Sequence, residues 1–422
     1  HPKKKTKRKK KTAPPTESSE SGEFTKVGSI KVSRSVLGYG SAGTIVFEGT
    51  KDGRLVAVKR MLRGLYSVAM HEIGLLLESE HPNMIHYYGL EEDKDFIYLA
   101  LTRCKQNLSD FVESTPKPAN HAEITTRILN DMVKGISHLH SLGIVHQDLK
   151  PQNILLDYNN RVVISDMGYS KKLDLNQTSF SGHFSATGGW AAPEQIMLLK
   201  EYTNFSARDS AQQATSRLSQ KVDIFSLGCI FHFVLTWGSH PFGNLLERDV
   251  NILKNNKAID MLDPDARHLI QLMLHPEPKK RPPIDWVAQH PVFWTNERKL
   301  LFLKNASDKV EPEKSHSPLL LALEQKAPII FGDSLSASNE LDWSVKIDSQ
   351  LLDNLGKYRK YSFASVRDLL RVIRNKAHHF HDLPEPVQQL VGPPPNDFFN
   401  YFHQRFPFLF IETYKVLLEF GC

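Results

Sequence analysis

Four polar residues in the middle of the chain have the types and the spacing needed to transfer a phosphoryl group. They are Asp148, Lys150, Asn153 and Asp166. The first aspartate can accept the proton of an attacking hydroxyl, and the lysine can offset charge on the transferring group. The amide and the second carboxylate offer oxygens, which are the ligands that Mg²⁺ prefers. The flanking segments IVH, ILL and VVIS predict short buried strands, so a loop of solvated charges is the weaker interpretation.

A second set of residues, nearer the N-terminus, favours binding of a nucleotide. Residues 38–43 read GYGSAG, and glycines let a backbone approach phosphates closely. Lys59 in the VAVK segment is placed to hold the α- and β-phosphates, and Glu72 on the next predicted helix would pair with it. The glycine pattern alone is weak, but its order with the other motifs is specific. The expected phosphate-binding glycines are Gly38, Gly40 and Gly43.

Further residues are expected to line the nucleotide site. The segment FIYLALTRC (96–104) predicts a buried strand that runs into a linker. Backbone groups of Thr102 and Cys104 would meet the adenine there. Val46 after the glycine loop and Ala57 in the VAVK segment complete the expected lining. In this order the motifs resemble those of a protein kinase, which implies ATP as substrate, Mg²⁺ as cofactor and a bilobal fold.

Hydroxyl groups crowd the segment between Asp166 and the triplet Ala192-Pro193-Glu194. Hydroxyls at this place in a kinase are the usual targets of phosphorylation, although some can merely supply turn chemistry. The polar, Ser-rich stretch 200–219 predicts a loop insertion, and Arg281 is expected to pair with Glu194. The predicted phosphorylation sites are Thr178, Ser179, Ser181 and Ser185.

Position 147 departs from the usual kinase pattern. It is Gln147, where most kinases have an arginine that pairs with a phosphorylated activation segment. An uncharged amide cannot form that ion pair. We therefore expect phosphorylation to act by another route, such as promoting assembly.

The stretch KYRKYSFASVRDLLRVIRNKAHHFHDLPEP (357–386) predicts an amphipathic helix. Ser365 with Asp368 would form a capping box at its start, and Pro384 would stop the chain from continuing it. The predicted apolar face consists of Val366, Leu369, Leu370, Ile373, Ala377 and Phe380. The opposite arc collects Arg367, Arg371, Arg374, Asn375, His378 and His379.

The polar arc belongs to a basic, aromatic patch. Seven Lys or Arg residues accompany one Asp between Lys357 and Lys376, with Tyr358, Tyr361 and Phe363 among them. Such a patch suggests an anionic polymer as ligand, because arginine can clamp a phosphate and histidine can exchange protons near neutral pH. A solvated helix face is the plainer alternative. Zinc held by the neighbouring histidines is disfavoured, because adjacent histidines rarely aim at one metal and no cysteine accompanies them.

Charge and cysteine content narrow the class of protein. The net charge of the 422-residue chain is +6, but Lys3–Lys11 carry eight positive charges, so the basicity belongs to an N-terminal tail that is expected to be disordered. Three distant cysteines suggest no disulfide framework and fit a reducing compartment. The sequence contains no run of 18 apolar residues, so no segment of it is predicted to span a membrane. Because the chain begins with His1, we expect a fragment or a processed product.

The kinase motifs followed by HPVFW and SVRDLLRVIRNKAHHF resemble the inositol-requiring kinase/endoribonuclease family of the unfolded protein response. The similarity covers about residues 29–420. Ribonuclease L shares the two-domain architecture, but its ankyrin repeats are missing here. The resemblance implies an α+β fold, in which a bilobal kinase precedes an all-α ribonuclease domain. The expected segments are a linker (1–28), a kinase N-lobe (29–104), a kinase C-lobe (105–296) and a helical nuclease domain (297–422).

The family resemblance also implies roles in the second domain. RNA stem-loops would be cleaved without a metal, with Tyr361 as general base and His379 as general acid. Arg374 and Asn375 would hold the scissile phosphate. Nucleotide binding would favour a homodimer or higher oligomer that phosphorylates itself, on the cytosolic side of the endoplasmic reticulum membrane. The membrane contact would come from a segment absent from this chain.

Two alternatives remain. The chain could be a signalling Ser/Thr kinase whose C-terminal domain only binds partners, which predicts a separate protein substrate and no RNA cleavage. It could also be a nucleotide-binding scaffold with weak phosphoryl transfer, which Gln147 prompts. The presence of Lys59, Asp148, Asn153 and Asp166 argues against the scaffold.

Overall fold

The computed structural model describes residues 24–40, 43–173, 177, 179, 187–205, 218–335, 340–356 and 360–421. These residues fall into two compact units. The first unit consists of residues 24–80 and 85–105. The second consists of residues 81–84 and 106–421.

The described residues of the first unit form an antiparallel sheet of six strands and one α-helix. The strand order is β1-β2-β3-β4-β6-β5. Val56 and Val58 alternate with half-exposed residues and point into the core, as a strand period of two requires. The strands are β1 (Phe24–Val27), β2 (Ile30–Tyr39), β3 (Ile45–Lys51), β4 (Arg54–Leu62), β5 (Tyr87–Glu92) and β6 (Phe96–Thr102), and the helix is α1 (Tyr66–Glu78).

The second unit begins with a helical region that carries short strand pairs. Helix α5 (Lys221–Leu235) is buried along nearly its whole length, as its apolar sequence predicts. The strands are β7 (Gln106–Asn107), β8 (Ile144–Val145), β9 (Ile154–Leu156), β10 (Val162–Ile164) and β11 (Lys171–Lys172). The other helices are α2 (Leu108–Ser114), α3 (His121–Ser141), α4 (Pro193–Phe205), α6 (Arg248–Leu253), α7 (Pro264–Met273) and α8 (Ile284–Gln289).

The C-terminal part of the second unit is helical and has its own hydrophobic core. Helix α13 (Val366–His378) lies in this core, and Val366, Leu369, Leu370 and Ile373 are fully buried. Lys299 on α9 bonds Asp265 on α7 at 2.5 Å, which ties this region to the preceding one. The remaining helices are α9 (Asn296–Val310), α10 (Pro318–Glu324), α11 (Ala327–Phe331), α12 (Ser349–Gly356), α14 (Glu385–Val391), α15 (Asn396–Arg405) and α16 (Leu409–Glu419).

The predicted α+β class is confirmed, with a sheet-rich first unit and a helical C-terminal region. One local prediction was wrong, because residues 200–205 continue α4 instead of starting a loop insertion, while 206–217 lie outside the described residues. Within the described part of the chain, no helix has the length and apolar character that crossing a bilayer requires.

Candidate active sites

The first unit contains the predicted lysine–glutamate pair. Lys59 on β4 donates to both carboxylate oxygens of Glu72 on α1, at 2.8 Å each. The side chain of Glu72 is 1% exposed and that of Lys59 is 11% exposed. A carboxylate this deeply buried requires a partner, since an isolated charge there would be very costly. Sheet and helix together therefore fix the lysine amine at one place.

The glycine loop joins β2 to β3. Gly43 has a φ of +76°, which glycine adopts without strain. A Cβ added at Gly38 or Gly43 would meet no atom of the described residues within 4 Å. The backbone N–H of Gly40 donates to the carbonyl of Thr44 at 2.8 Å and closes the turn. This is a backbone that a phosphate can approach, although residues 41 and 42 lie outside the described part.

The other predicted nucleotide residues lie on neighbouring strands of the same sheet. Val46 pairs with Lys59 across β3 and β4, and Ala57 pairs with Leu101 across β4 and β6. Thr102 ends β6, where its backbone N–H donates to the carbonyl of His86 at 2.9 Å. Cys104 follows two residues later and is half-buried.

The predicted catalytic loop lies in the second unit and is anchored by Asp223 on α5. Both carboxylate oxygens of Asp223 accept backbone N–H groups at 2.8 Å, one from His146 and one from Gln147. Asp223 is 1% exposed. A buried, fully bonded carboxylate holds the loop backbone rigidly just before Asp148.

Asp148 is the centre of a buried hydrogen-bond cluster. Lys150 donates to its Oδ2 at 2.8 Å, and Asn153 donates to the same oxygen at 3.1 Å. The hydroxyl of Thr187 donates to Oδ1 at 2.5 Å and accepts from Lys150 at 3.0 Å. Asp148 is 3% exposed. The cluster holds the carboxylate, the amine and a hydroxyl in one fixed arrangement.

Two residues of this unit offer oxygens suited to Mg²⁺. The amide nitrogen of Asn153 is used by Asp148, whose backbone carbonyl it also bonds at 2.8 Å, so its Oδ1 is the atom left to face a cation. Asp166 has a φ of +66°, a left-handed conformation that costs energy in a non-glycine residue and that recurs at active sites. One or two protein oxygens plus substrate phosphates suffice for Mg²⁺, so these residues fit it.

The predicted nuclease residues lie around the C-terminal end of α13. The guanidinium Nε of Arg374 donates to Oδ1 of Asn375 at 3.2 Å. His379 caps the helix by donating its backbone N–H to the carbonyl of Asn375 at 3.0 Å. Its imidazole is 71% exposed and lies 3.1 Å from the carboxylate of Asp382. Arg374, Asn375 and His379 are thus brought together at a surface.

Tyr361 lies apart from that group in the chain. It precedes the helix, is half-buried and packs against the C-terminal hydrophobic core. Among the described residues, no hydrogen bond joins it to Arg374, Asn375 or His379. Its phenol lies close enough to Arg371 to act on the charge of that guanidinium. Tyr358 lies outside the described residues.

Comparison with known proteins finds a match for each of the two regions of the chain that contain these residues. A model of the protein kinase domain matches residues 32–293, and a model of the ribonuclease 2-5A domain matches residues 299–421. The chain belongs to the kinase/endoribonuclease family. The family resemblance that the sequence motifs indicated is therefore confirmed.

Three relatives illustrate the extent of the similarity. The chain is 37% identical to the serine/threonine-protein kinase/endoribonuclease IRE1b of Arabidopsis thaliana, over 97% of this chain and 48% of the relative. It is 39% identical to the human kinase/endoribonuclease IRE2 (96% and 43%). It is 41% identical to the Schizosaccharomyces pombe protein named sensor for unfolded proteins in the ER (93% and 38%). The chain thus spans less than half the length of these relatives.

The sequence did not indicate the part that Thr187 plays in the cluster around Asp148. The residue was grouped with the other hydroxyls of its segment, and nothing nearby in the sequence marks it. Its contact with Asp148 joins residues 39 positions apart. Ser179 is half-buried, whereas Thr178, Ser181 and Ser185 lie outside the described residues. The predicted pair of Arg281 and Glu194 is present, with two bonds of 2.6 and 2.8 Å.

Gln147 fills the inside of the catalytic loop. It is 3% exposed, and its amide nitrogen donates to the carbonyl of Tyr169 at 2.7 Å. Gln195 donates to its backbone carbonyl at 3.0 Å. Gln147, which replaces the usual arginine, therefore binds the backbone three residues after Asp166 through a neutral amide.

Two predictions for α13 need correction. Arg371 was placed on the open polar arc, but it is 7% exposed and is paired with Glu311 at 2.7 Å and with Asp368. One acidic side chain of the same helix, Asp368, and one from outside it, Glu311, neutralise it there. The capping box is only half formed. Ser365 accepts the N–H of Asp368 at 3.2 Å, but the Asp368 carboxylate accepts from Ser362 instead of Ser365.

The pKa values of two basic groups near the end of α13, those of Lys376 and His378, are lowered. Burial lowers the pKa of Lys376, whose amine bonds Asn354 at 2.5 Å. Slight burial and the charge of Lys304 lower the pKa of His378. Among the described residues, no three His, Cys, Asp or Glu side chains are arranged to hold a metal ion.

Proposed function

We propose that this chain is a bifunctional enzyme, a Ser/Thr protein kinase that phosphorylates itself and a metal-independent endoribonuclease. The observation that carries the proposal is the presence in one chain of two clusters. One is the buried set around Asp148, and the other is the set at the end of α13, formed by Arg374, Asn375 and the exposed His379. The family of the chain supports both activities.

In the kinase reaction, Asp148 accepts the proton of an attacking Ser or Thr hydroxyl. Lys150, already bonded to that carboxylate, offsets charge on the transferring phosphoryl group. Lys59, held by Glu72, binds the α- and β-phosphates of ATP, and Asn153 and Asp166 hold Mg²⁺. When bound, the ion neutralises charge on the phosphate oxygens. Thr178, Ser179, Ser181 and Ser185 are the proposed acceptors.

In the nuclease reaction, the ribose 2′-OH attacks its own 3′-phosphate. Tyr361 takes the 2′ proton as general base, the new oxygen–phosphorus bond closes a 2′,3′-cyclic phosphate, and the bond to the 5′ oxygen breaks. His379 gives that leaving oxygen a proton. Arg374 and Asn375 hold the phosphate, and their existing contact supports a shared ligand.

The resemblance also supports a setting for these activities. Nucleotide binding would favour a homodimer or higher oligomer, which pairs two nuclease domains around an RNA stem-loop. The proposed process is the unfolded protein response at the cytosolic side of the endoplasmic reticulum membrane. A segment absent from this chain would provide the membrane contact.

Cleavage of a hairpin RNA by the purified chain in EDTA tests the nuclease, and cleavage measured against protein concentration, with and without ADP and Mg²⁺, tests its activation by assembly. We expect cleavage with a cyclic phosphate product, a steep rise with concentration, and its loss in His379→Ala with ATP binding intact. His378→Ala serves as the neighbouring control. Cleavage that survives His379→Ala removes that residue from its role. No cleavage, together with phosphorylation of a separate protein, would favour a signalling kinase with a non-catalytic C-terminal domain.

A further inference from the structure

Carboxylates already occupy the guanidinium of Arg374. Its Nη1 donates to Oδ1 of Asp308 on α9 at 2.8 Å, and its Nη2 lies 3.6 Å from Oε2 of Glu311. Its Nε is used by Asn375. Every nitrogen that could bind a phosphate therefore has a protein oxygen nearby.

The two carboxylates differ in how firmly they are held. Glu311 is shared with the buried Arg371, to which it is bonded at 2.7 Å, and its side chain is 31% exposed. The side chain of Asp308 is 60% exposed, while that of Arg374 is only 13% exposed. Glu311 belongs to the fixed frame of the helix, whereas Asp308 covers Arg374 from the solvent side and can be displaced.

The surroundings of Asp308 would suit a phosphate equally well. Asp308 bonds Arg374, and both lie near His378, since Lys304 and Arg374 lower the pKa of His378 after burial while Asp308 raises it. His379 adds a further imidazole at the same helix end. A carboxylate bonded to a guanidinium presents its oxygens much as a phosphate does.

We propose that Asp308 is a specificity-determining residue that competes with the RNA phosphate for Arg374. This inference rests on the proposed nuclease function. An RNA phosphate displaces the Asp308 carboxylate from Nη1, while Glu311 and Asn375 keep the guanidinium oriented. The carboxylate thus weakens binding of any single phosphate and leaves the chemical step unchanged, which favours RNA that makes additional contacts.

The experiment compares the full chain with Asp308→Asn, an isosteric change that removes the charge. Cleavage of the hairpin RNA is expected to show a KM roughly two- to fivefold lower, as for loss of an exposed ion pair, with kcat unchanged. The slope of log KM against log salt should steepen by up to about 0.7, because the carboxylate displaced in the wild-type chain takes up part of a released cation and the amide of the variant does not. A residue that only supported the fold would leave the salt slope unchanged.

Two controls make the result specific. Asp397→Asn removes the same charge from an exposed position on α15 that forms no ion pair among the described residues, and it should leave KM unchanged. In an Arg374→Ala background, Asp308→Asn should lose its effect, because the two changes act through one contact. An unchanged or raised KM, or a lower kcat, in Asp308→Asn overturns the inference and makes Asp308 a support for Arg374.

Binding measured without cleavage separates this inference from the proposed function. His379→Ala and the double variant with Asp308→Asn are titrated with the same hairpin RNA. Tighter binding of the double variant supports competition even if the wild-type chain cleaves nothing. Equal binding by the two variants refutes competition even if the wild-type chain cleaves RNA.

Discussion

Asp148 and His379 are the residues proposed to transfer protons in the two reactions, and their surroundings differ sharply. Asp148 is 3% exposed and is bonded by side chains from 2 to 39 positions away in the chain. The imidazole of His379 is 71% exposed, and its bonds reach only three or four residues along the chain. Asp148 is held by tertiary contacts, whereas the imidazole of His379 is exposed at a helix end.

The difference indicates what each site still needs. Electrostatic stabilisation is strongest where water is excluded and groups are fixed before the reaction. The Asp148 cluster already has its fixed groups. The imidazole of His379 faces solvent, so RNA, a second copy of the chain, or both must exclude water there. This agrees with the proposed activation by assembly.

The largest effect should come from the buried cluster. Asp148→Asn keeps the shape of the side chain but removes its ability to accept a proton, so autophosphorylation with radiolabelled ATP should fall by about 10²- to 10⁴-fold. Nucleotide binding and RNA cleavage in the presence of ADP should remain. Autophosphorylation within tenfold of wild type would show that Asp148 is not the base.

The next effect is on stability. Arg281 is 1% exposed and makes two bonds to Glu194, with others to the carbonyls of His275, Pro276 and Lys221. Arg281→Met leaves a charge and several carbonyls unpaired, so urea unfolding of the second unit should show a loss of about 3–5 kcal/mol. Arg374→Met, which breaks a pair with the exposed Asp308, should cost less than about 1 kcal/mol. Equal losses of stability in the two variants would show that the Arg281–Glu194 pair and the Arg374–Asp308 pair do not differ in their contribution to folding.

The kinase region was the more predictable of the two from sequence. Its chemistry depends on ordered motifs, so the pairing of Lys59 with Glu72 and that of Arg281 with Glu194 were both expected and are both present. The contact of Thr187 with Asp148 was not predicted, because no neighbouring residue distinguishes Thr187 from the other hydroxyl-bearing residues of its segment.

The nuclease region shows where helical periodicity stops being informative. It placed the cap at Ser365 and the buried face of α13 correctly. It could not show that Asp308 and Glu311 of another segment neutralise the polar face, because those contacts join residues 60 and 66 positions apart. Arg371 was therefore assigned to an open surface. Helical periodicity shows which residues share a face of the helix, but it does not show which other segments pack against that face.

A third prediction concerns the loss of folding stability at acidic pH, and it involves a pair of histidines in the second unit. Nδ1 of His268 lies 3.0 Å from Nε2 of His290, whose Nδ1 accepts the N–H of Val292. His290 must therefore carry its proton on Nε2 and donate it to His268. Burial, with the charge of Lys415, lowers the pKa of His268 to about 4, and burial lowers that of His290 to about 3. Both imidazoles are neutral in the folded chain.

The sign of the pH effect follows from these directions. Unfolded histidine has a pKa near 6.5, so below that pH the unfolded chain takes up protons that the folded chain refuses. Stability is complete above about pH 6.5 and falls towards the folded pKa values, by about 2 kcal/mol per histidine between pH 6.5 and 5. His268→Gln, which keeps an acceptor for His290, should make urea midpoints less sensitive to pH. An unchanged pH dependence in this variant would exclude the pair as its source.

The smallest effect should be that of His379→Ala on stability. Because the imidazole is largely exposed and its contact with Asp382 is a surface pair 77% exposed on the carboxylate side, the free energy of unfolding should change by less than about 0.5 kcal/mol. Urea unfolding of His379→Ala measures this, with Asp382→Asn as the matched variant from the other side of the contact. A loss of RNA cleavage with this stability would place His379 in the chemistry. A loss accompanied by destabilisation above 2 kcal/mol would instead mean that the helix end is part of the folded frame, as Asp148 is in the kinase region, and the contrast between the two sites would fail.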